Sequence, residues 1–438
     1  MSGRSLAVVI GAGIAGLAMA GTAAGRFDRV LLLDRDQLPD TATPRRGVPQ
    51  SYHGHVLLAA GQAALEELFP GVRDELVAAG ALPFDFGVAL GFYRYGAVWS
   101  RVPSGLEMLA MTRPLLELTL RRRIAALPNV RIRPSVAVAG LTGDGTRVTG
   151  VVLDDGETVP ADLVLDATGR GMRSDRWLGA LGLPTPDVVE VKIGVRYATQ
   201  LVRCDDGDLA DTAGMLVLPT PPAEKRTGLA LAVEGDRWLV GLGGWHGEHP
   251  TPDPDGFRAY AKSLPEPTIG DLLARAEPVT DIVAFQFPSS RRRRFELLRE
   301  PPGGYLAVGD AICSFNPVYG QGMTVAALEA AALGRLLDRV PDNSGRLARA
   351  FYREAARIIR TPWQFAVGAD FVYPETTGPR PRAIPLLNRY STRLQLAART
   401  DPELRRTFTW VQQLVTPPGA LFTPRVIARV LRRRTDPA

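Results

Sequence analysis

Cysteine and histidine are scarce in this sequence. Its 438 residues include two cysteines, Cys204 and Cys313, and four histidines. Two distant cysteines make neither a disulfide framework nor a thiolate metal cluster, and so few histidines limit metal chemistry further. We therefore predict no metal site. The low cysteine content favours the reducing cytoplasm as the location of the protein.

Lysine is also rare, although the chain is basic. Lys and Arg number 52 against 46 Asp and Glu, which gives a net charge of +6, but the lysines are only Lys192, Lys225 and Lys262. Acidic residues are interspersed with the arginines, so the charge does not form the basic stripe of a nucleic-acid-binding protein. We predict no nucleic-acid partner, and we interpret the run Arg291–Arg294 as a solvated strand end.

Long apolar runs are missing, with one exception near the N-terminus. Residues 6–25 are uncharged and mostly apolar, close to the length of a membrane helix. The stretch is rich in glycine and alanine, however, and its apolar bulk is low. We therefore predict no transmembrane span.

The glycines of this same stretch have a spacing that predicts a βαβ unit. A short β-branched strand precedes Gly11-Ala-Gly13-Ile-Ala-Gly16, helix formers follow, and the next buried strand ends in Asp34. Gly11 permits the tight turn, Gly13 lets the backbone approach a pyrophosphate, and Gly16 lets helix and strand pack closely. The helix N-terminus offers N–H groups to the phosphates, and Asp34 would accept a hydrogen bond from a ribose hydroxyl. A structural turn without a ligand is the alternative that this motif leaves open.

A second constellation, about 300 residues downstream, favours FAD over NAD as the dinucleotide. Asp310 follows a buried strand, where a carboxylate can bind a ribityl hydroxyl. The turn that contains Pro317, Gly320 and Gly322 precedes an Ala/Leu-rich helix beginning near Met323. Its free N–H groups suit the flavin edge that gains negative charge on reduction.

Three motifs in order give the chain a family resemblance. They are the Gly11–Gly16 turn with Asp34, the strand end at Asp166–Gly169, and Gly309-Asp310 with the following turn. Across residues 6–340 the chain resembles the FAD-dependent monooxygenases of the para-hydroxybenzoate hydroxylase superfamily. In the middle motif it has Thr168-Gly169 where the aromatic hydroxylases have Asp-Gly, a difference that bears on reduction by NAD(P)H.

Three segments resemble a narrower group more closely. Residues 46–55, 166–178 and 315–320 are similar to the flavin epoxidases of polyether antibiotic pathways, the monensin and lasalocid types. That resemblance implies epoxidation or hydroxylation of a hydrophobic polyketide- or terpenoid-type secondary metabolite through a flavin C4a-hydroperoxide. The co-substrate would be O2, the expected reductant NAD(P)H, and the further partners a carrier protein or a separate flavin reductase. The sequence leaves the oligomeric state undetermined.

The resemblance also implies the site residues. Those expected to bind the cofactor are Gly11, Gly13, Ile14, Ala15, Gly16, Asp34, Arg35, Arg46, Arg113, Thr168, Gly169, Gly309, Asp310, Pro317, Gly320, Gly322 and Met323. Catalytic roles are expected for Gln50, His53 and Pro317. The sequence reveals no base to ionise a phenol, which favours an alkene-type substrate. A cyclase that uses FAD structurally and an FAD-dependent prenyl-chain reductase remain alternatives.

The predicted fold class is α/β, with three regions. A Rossmann-type FAD-binding domain is expected to be discontinuous, a β-sheet substrate domain to be inserted into it, and a helical region to follow at the C-terminus. The expected boundaries are 1–81, 105–187 and 296–340 for the FAD-binding domain, 82–104 and 188–295 for the substrate domain, and 341–438 for the helical region.

Overall fold

The computed structural model describes residues 5–171, 173–204, 212–340 and 344–432. The strands are β1 (Leu6–Ile10), β2 (Arg29–Leu33), β3 (Leu82–Asp85), β4 (Leu90–Arg94), β5 (Ala97–Val98), β6 (Glu107–Ala110), β7 (Val130–Arg133), β8 (Val138–Gly143), β9 (Val148–Leu153), β10 (Thr158–Pro160), β11 (Leu163–Asp166), β12 (Val188–Arg203), β13 (Gly214–Val217), β14 (Arg226–Val233), β15 (Arg237–Gly244), β16 (Glu277–Pro278), β17 (Val283–Arg293), β18 (Tyr305–Ala307) and β19 (Cys313–Ser314). The helices are α1 (Ile14–Ala24), α2 (Ala59–Leu68), α3 (Val72–Ala78), α4 (Arg113–Ala125), α5 (Arg173–Ala180), α6 (Pro254–Lys262), α7 (Thr268–Arg275), α8 (Gly322–Leu337), α9 (Gly345–Asp370), α10 (Ile384–Ala398), α11 (Pro402–Gln412) and α12 (Pro424–Arg432).

A parallel five-stranded sheet with helices packed on it forms the first layer of the fold. Its strand order is β18-β11-β1-β2-β7, and every neighbouring pair is parallel. Helix α1 packs against α4 and α8. Because the carboxyl ends of parallel strands meet at one edge of a sheet, the chain leaves β1, β11 and β18 at neighbouring points. The α/β class predicted from the sequence is confirmed.

Two glycines allow the first turn to lie against the end of β11. Gly11 has φ +101°, and a Cβ there would lie 2.7 Å from the carbonyl oxygen of Ala167. A Cβ at Gly16 would lie 1.7 Å from the carbonyl oxygen of Gly11. No side chain fits at either position without moving backbone. This close approach agrees with the packing role that the sequence predicts for Gly16, at the point where α1 meets the turn.

A second, mostly antiparallel sheet of nine described strands forms the other large layer. Its order is β19-β17-β12-β15-β14-β13-β4-β5, with β16 paired to β12. Helices α6 and α7 pack on one face of this sheet. Both interrupt a segment whose pattern indicates only strands, and Asp253 caps α6 by accepting a hydrogen bond from the Gly256 N–H. The domain boundaries given above stay a prediction.

Helices dominate the C-terminal part, residues 344–432. Helix α9 packs against α8 and so joins this part to the parallel sheet. Helices α10, α11 and α12 enclose a cluster with Phe92 and Trp99 of the large-sheet segment. None of the described helices combines the length and the apolar character needed to cross a bilayer.

The arginine run of β17 is not solvated, and that prediction is wrong. Arg293 is 2% exposed, lies 3.0 Å from the carboxylate of Asp175 and donates to the Ala311 carbonyl. Arg292 and Arg294 both pair with Glu296. One distant acid, Asp175, and one nearby acid, Glu296, therefore pair with arginines of a run that looks solvated in isolation.

Candidate functional site

A cavity of about 410 Å³ opens where the two large sheets meet. This volume is within the usual range for small-molecule sites. The predicted residues that line it are Gly11, Gly13, Ile14, Ala15, Asp34, Arg35, Gln50, Arg113, Thr168, Gly169, Asp310, Pro317, Gly320, Gly322 and Met323. The predicted residues outside its lining are Gly16, Arg46, His53 and Gly309. The described residues contain no cluster of three or more His, Cys, Asp or Glu side chains able to hold a metal ion.

At one end of the cavity, Asp34 is already fully hydrogen-bonded. Its carboxylate accepts from the backbone N–H groups of Ala12 (2.6 Å) and Asp36 (2.8 Å). One terminal nitrogen of Arg45 lies 3.1 Å from both Asp34 oxygens. Each oxygen thus accepts two hydrogen bonds, so a ribose hydroxyl must displace the Arg45 contact to reach Asp34.

Arg45, rather than the predicted Arg46, is the arginine of this end. It lies 2.6 Å from Glu117 and 2.9 Å from Asp36, and its second terminal nitrogen is buried without a hydrogen-bond partner. Burial works to lower the pKa of Arg45, but the charges of Glu117 and Asp34 outweigh burial and raise it. Arg46 is exposed. No sequence signal separates the two arginines, because the acids that select Arg45 come from two segments far apart in the chain, residues 34–36 and Glu117.

The N-terminus of α1 and Arg113 form the next part of the cavity. Gly13 caps α1 without a side-chain hydrogen bond, so the first N–H groups of the helix face the cavity unobstructed. The Arg113 guanidinium would lie 3.7 Å from a Cβ on Gly13, and its buried Nε lies 3.8 Å from Glu117 but has no hydrogen-bond partner among the described residues. Burial lowers the pKa of Arg113. Unpartnered donors around a glycine cradle fit a pyrophosphate.

Asp310 lies farther along the cavity, after β18 and beside the start of α8. A Cβ on Gly322 would lie 3.6 Å from an Asp310 carboxylate oxygen. Burial raises the pKa of Asp310, and the charges of Arg170 and Arg113 act in the opposite direction. Gly320 has φ +66° and ends the short 3-10 turn before α8. An acceptor and free helix N–H groups therefore stand together, as a ribityl chain and a flavin edge require.

The Thr168 hydroxyl belongs to a buried hydrogen-bond network around Asp166. It donates to Asp166 at 2.6 Å, and the same carboxylate accepts from Ser174 (2.6 Å) and Tyr305 (2.7 Å). This network fixes the end of β11. Gly169 follows with φ +75° and open space where a side chain would be. The departure from Asp-Gly thus places an anchoring hydroxyl at the strand end.

His55, not His53, faces the cavity. His53 is buried behind it, with Nδ1 2.8 Å from the Thr199 hydroxyl and its ring edge-on to Tyr197. Nδ1 of His55 lies 2.9 Å from the His53 carbonyl, so Nδ1 carries the proton and Nε2 is an acceptor, 3.4 Å from Arg113. Burial lowers the pKa of His53 to about 4 and that of His55 to about 3. Both rings are neutral at neutral pH.

Gln50 and aromatic side chains complete the lining on the side of the large sheet. Tyr197 comes from β12, and Phe285 and Phe287 come from β17. Their rings form an apolar wall, and burial raises the pKa of Tyr197. A site that has a cradle of donors at one end and an aromatic wall at the other fits a dinucleotide together with an apolar substrate.

The turn that contains Pro317 is anchored from behind by a buried acid. The Asn316 side chain caps this turn and donates to one Asp370 oxygen at 2.8 Å. Trp245 donates to the same oxygen at 3.0 Å, and Tyr319 does so at 3.4 Å. The other Asp370 oxygen has no hydrogen-bond partner. Burial raises the pKa of Asp370 to about 7, so the last residue of α9 holds the cavity turn with a carboxyl that titrates near neutrality.

The chain is similar over most of its length to a curated mycobacterial protein. Protein Rv3254 of Mycobacterium tuberculosis (strain ATCC 25618 / H37Rv) is 34% identical over 449 residues, which cover 97% of this chain and 94% of Rv3254. The chain belongs to the family of Protein Rv3254. No protein-family model matches it.

Solved structures establish the fold of this Rv3254-family protein. A flavoprotein/dehydrogenase from Cytophaga hutchinsonii superposes with a TM-score of 0.67 at 17% identity, covering 97% of this chain and 96% of that one. The p-nitrophenol 4-monooxygenase PnpA from Pseudomonas putida DLL-E4 gives 0.66 at 16%, covering 95% and 100%. The Diels-Alderase PyrE3 of the pyrroindomycin pathway gives 0.62 at 16%, covering 93% and 80%. The Rv3254-family protein therefore has the fold of flavin-dependent monooxygenases.

We predict that Arg45 and Arg46 differ sharply in their effect on stability. Arg45→Met removes the cation shared by three carboxylates and should lower the free energy of unfolding by about 3–5 kcal/mol. Arg46→Met is the matched control and should stay within about 0.5 kcal/mol of the parent protein. Urea denaturation measures both, and equal effects would contradict the assignment of Arg45.

A second prediction concerns the pH dependence of stability. The folded-state pKa of Asp370 is raised from 3.8 to about 7. Between these values the folded protein keeps a proton that the unfolded chain has lost, so this group makes stability fall as pH rises. The Asn side chain of Asp370→Asn is neutral at every pH. The free energy of unfolding of this variant, relative to that of the parent, should therefore increase by about 1–4 kcal/mol between pH 5 and pH 8.

The control for this experiment is Asp370→Ala. That variant leaves the Trp245 and Asn316 donors without an acceptor, so it should be less stable than the parent at both pH values. Unfolding curves at pH 5 and pH 8 report all three proteins. A constant difference between Asp370→Asn and the parent would show that the carboxyl does not titrate in this range.

Proposed function

We propose that this protein is an FAD-dependent monooxygenase that transfers one oxygen atom from O2 to a hydrophobic substrate. In its finer form, the proposal is epoxidation or hydroxylation of a polyketide- or terpenoid-type metabolite, with NAD(P)H as the reductant. The single observation behind it is one continuous cavity. It joins the glycine turn at Gly11 and the Asp310–α8 junction to an aromatic wall on the large sheet.

Residues that fit FAD occur along the cavity in the order of the cofactor's parts. Asp34 and Arg45 would contact the adenosine, and the α1 N-terminus with Arg113 would bind the pyrophosphate. Asp310 would accept from the ribityl chain, and the N–H groups at Gly322 would face the flavin edge that becomes negative. When bound and reduced by NAD(P)H, FAD would supply the two electrons that activate O2, so that one oxygen atom passes to the substrate and the other leaves as water.

The cavity residues have different tasks from the cofactor. Tyr197, Phe285 and Phe287 exclude water and present an apolar surface to a substrate double bond. Neutral His55 accepts a hydrogen bond at Nε2, and its low pKa makes it a poor base. Alkene oxygenation needs orientation and a dry site more than it needs a base, so these features favour an alkene over a phenol.

A cyclase that uses FAD structurally is the second candidate. The Diels-Alderase PyrE3 shares this fold, and a cavity with an aromatic wall also suits the folding of a polyene. Such an enzyme would need neither O2 nor a reductant.

Labelled oxygen separates these candidates. The FAD-loaded protein is incubated with NADH or NADPH, ¹⁸O2 and either farnesol or farnesoic acid, with 4-hydroxybenzoate as the phenol comparison. We expect an alkene product that contains one ¹⁸O atom, detected by mass spectrometry, and no label when only the water carries ¹⁸O.

Three results would contradict the proposal. They are a flavin-dependent product without label from O2, conversion in the absence of both O2 and reductant, and product formed anaerobically with reduced flavin. The second would support the cyclase, and the third would support a prenyl-chain reductase.

A further inference from the structure

Arg170 is a cavity arginine that the FAD-binding residues do not explain. It follows the Thr168-Gly169 turn, and its guanidinium is held by β17 from two directions. One terminal nitrogen donates to the Ser289 carbonyl at 2.8 Å, and the guanidinium carbon lies 3.9 Å above the centre of the Phe287 ring. Stacking and a backbone hydrogen bond fix the orientation of the side chain without neutralising its charge.

The charge of Arg170 has no ion-pair partner among the residues that the structure describes. Its Nε is buried and has no hydrogen-bond partner there. Two other buried arginines have carboxylates in contact: Arg45 lies 2.6 Å from Glu117, and Arg293 lies 3.0 Å from Asp175. Burial lowers the pKa of Arg170. A half-buried cation without an ion-pair partner is costly, so the site favours an anion that is not part of the protein.

The neighbouring acids are engaged elsewhere. Glu190 lies 2.9 Å from Arg291 and accepts from the Ser289 hydroxyl at 2.5 Å. Asp310 influences Arg170 through its charge, but it acts on Arg113 in the same way. Neither acid contacts Arg170 as an ion pair among the described residues, so the cation remains available to a ligand.

The contacts of Arg170 place it on the substrate side of the cavity. Both belong to β17, the strand that supplies Phe285 and Phe287 to the aromatic wall. Arg113 belongs to the pyrophosphate part of the cavity, next to Gly13, and the charges of Arg113 and Arg170 both act on Asp310. An anion on Arg170 would therefore sit at the edge of an apolar surface.

We propose that Arg170 binds the carboxylate of the substrate, so that the substrate is a hydrophobic carboxylic acid. This inference rests on the proposed function, because it assigns a substrate class to the same cavity. The aromatic wall takes the apolar chain, and the guanidinium takes the charged end. A neutral analogue would leave the Arg170 cation without a partner. The site should therefore bind a carboxylic acid more tightly than a neutral molecule of the same shape.

The test compares acids with their primary amides. Dodecanoic acid with dodecanamide, and 4-phenylbutanoic acid with 4-phenylbutanamide, are titrated into the FAD-loaded protein at pH 7.5 while the visible flavin spectrum is followed. We expect each acid to bind about tenfold or more tightly than its amide. Arg170→Met should abolish that ratio, and Arg170→Lys should retain part of it. Arg294→Met, which removes a partly exposed arginine that pairs with Glu296 just after β17, is the matched control and should keep the ratio.

Each outcome decides the proposal. Equal binding of acid and amide by the parent protein, no binding of either acid, or an unchanged ratio in Arg170→Met would overturn it. Loss of FAD from Arg170→Met with the ratio preserved would make Arg170 a cofactor ligand and would also overturn it. Tryptophan fluorescence can follow acid binding in the absence of flavin. A preference for acids detected in this way would support the role of Arg170 even if the oxygenation experiment failed.

Discussion

The close contact between the Gly11 turn and the end of β11 is the constraint on which the site depends. Gly16 brings α1 down onto that turn, and the neighbouring β18 delivers Asp310 to the same edge. Residues separated by about 300 positions thus meet in one cavity through the parallel order of the central sheet. If backbone contact at this edge were lost, the cradle at α1 and the acceptor at Asp310 would no longer face a common ligand.

Buried charge is the second organising feature, and it differs along the cavity. At the end of the cavity that contains Asp34, Arg45 is held by three carboxylates, so its positive charge is balanced before any ligand arrives. Near the middle, Asp310 stands between Arg113 and Arg170, and the donors around it are incompletely used. Polar groups at one end of the cavity thus have protein partners, whereas those near the middle have few. The middle is therefore where a ligand would contribute its own charge and hydrogen bonds. The aromatic wall then continues the cavity as an apolar surface.

The sequence predicts the parts of the site that belong to regular elements better than those that belong to loops. The glycine turn, Asp34 and Asp310 follow buried strands, and their positions in the cavity follow from strand order. In the loop of residues 37–58 no periodicity indicates which side chain points inward. There the cavity receives His55 in place of His53, because Thr199 of a distant strand binds the His53 ring. Asp370 has no local signal at all, since its partners come from two distant segments, Trp245 and the turn of residues 316–319.

The central claim is that one cavity holds a complete flavin adenine dinucleotide, and cofactor stoichiometry tests it most directly. Purified protein is titrated with FAD or with FMN, freed of excess flavin, and heated to release what it has bound. The account predicts one FAD per chain and much weaker retention of FMN, which lacks the adenosine that Asp34 and Arg45 would contact. A protein that stays colourless, or one that retains FMN as well as FAD, would contradict it.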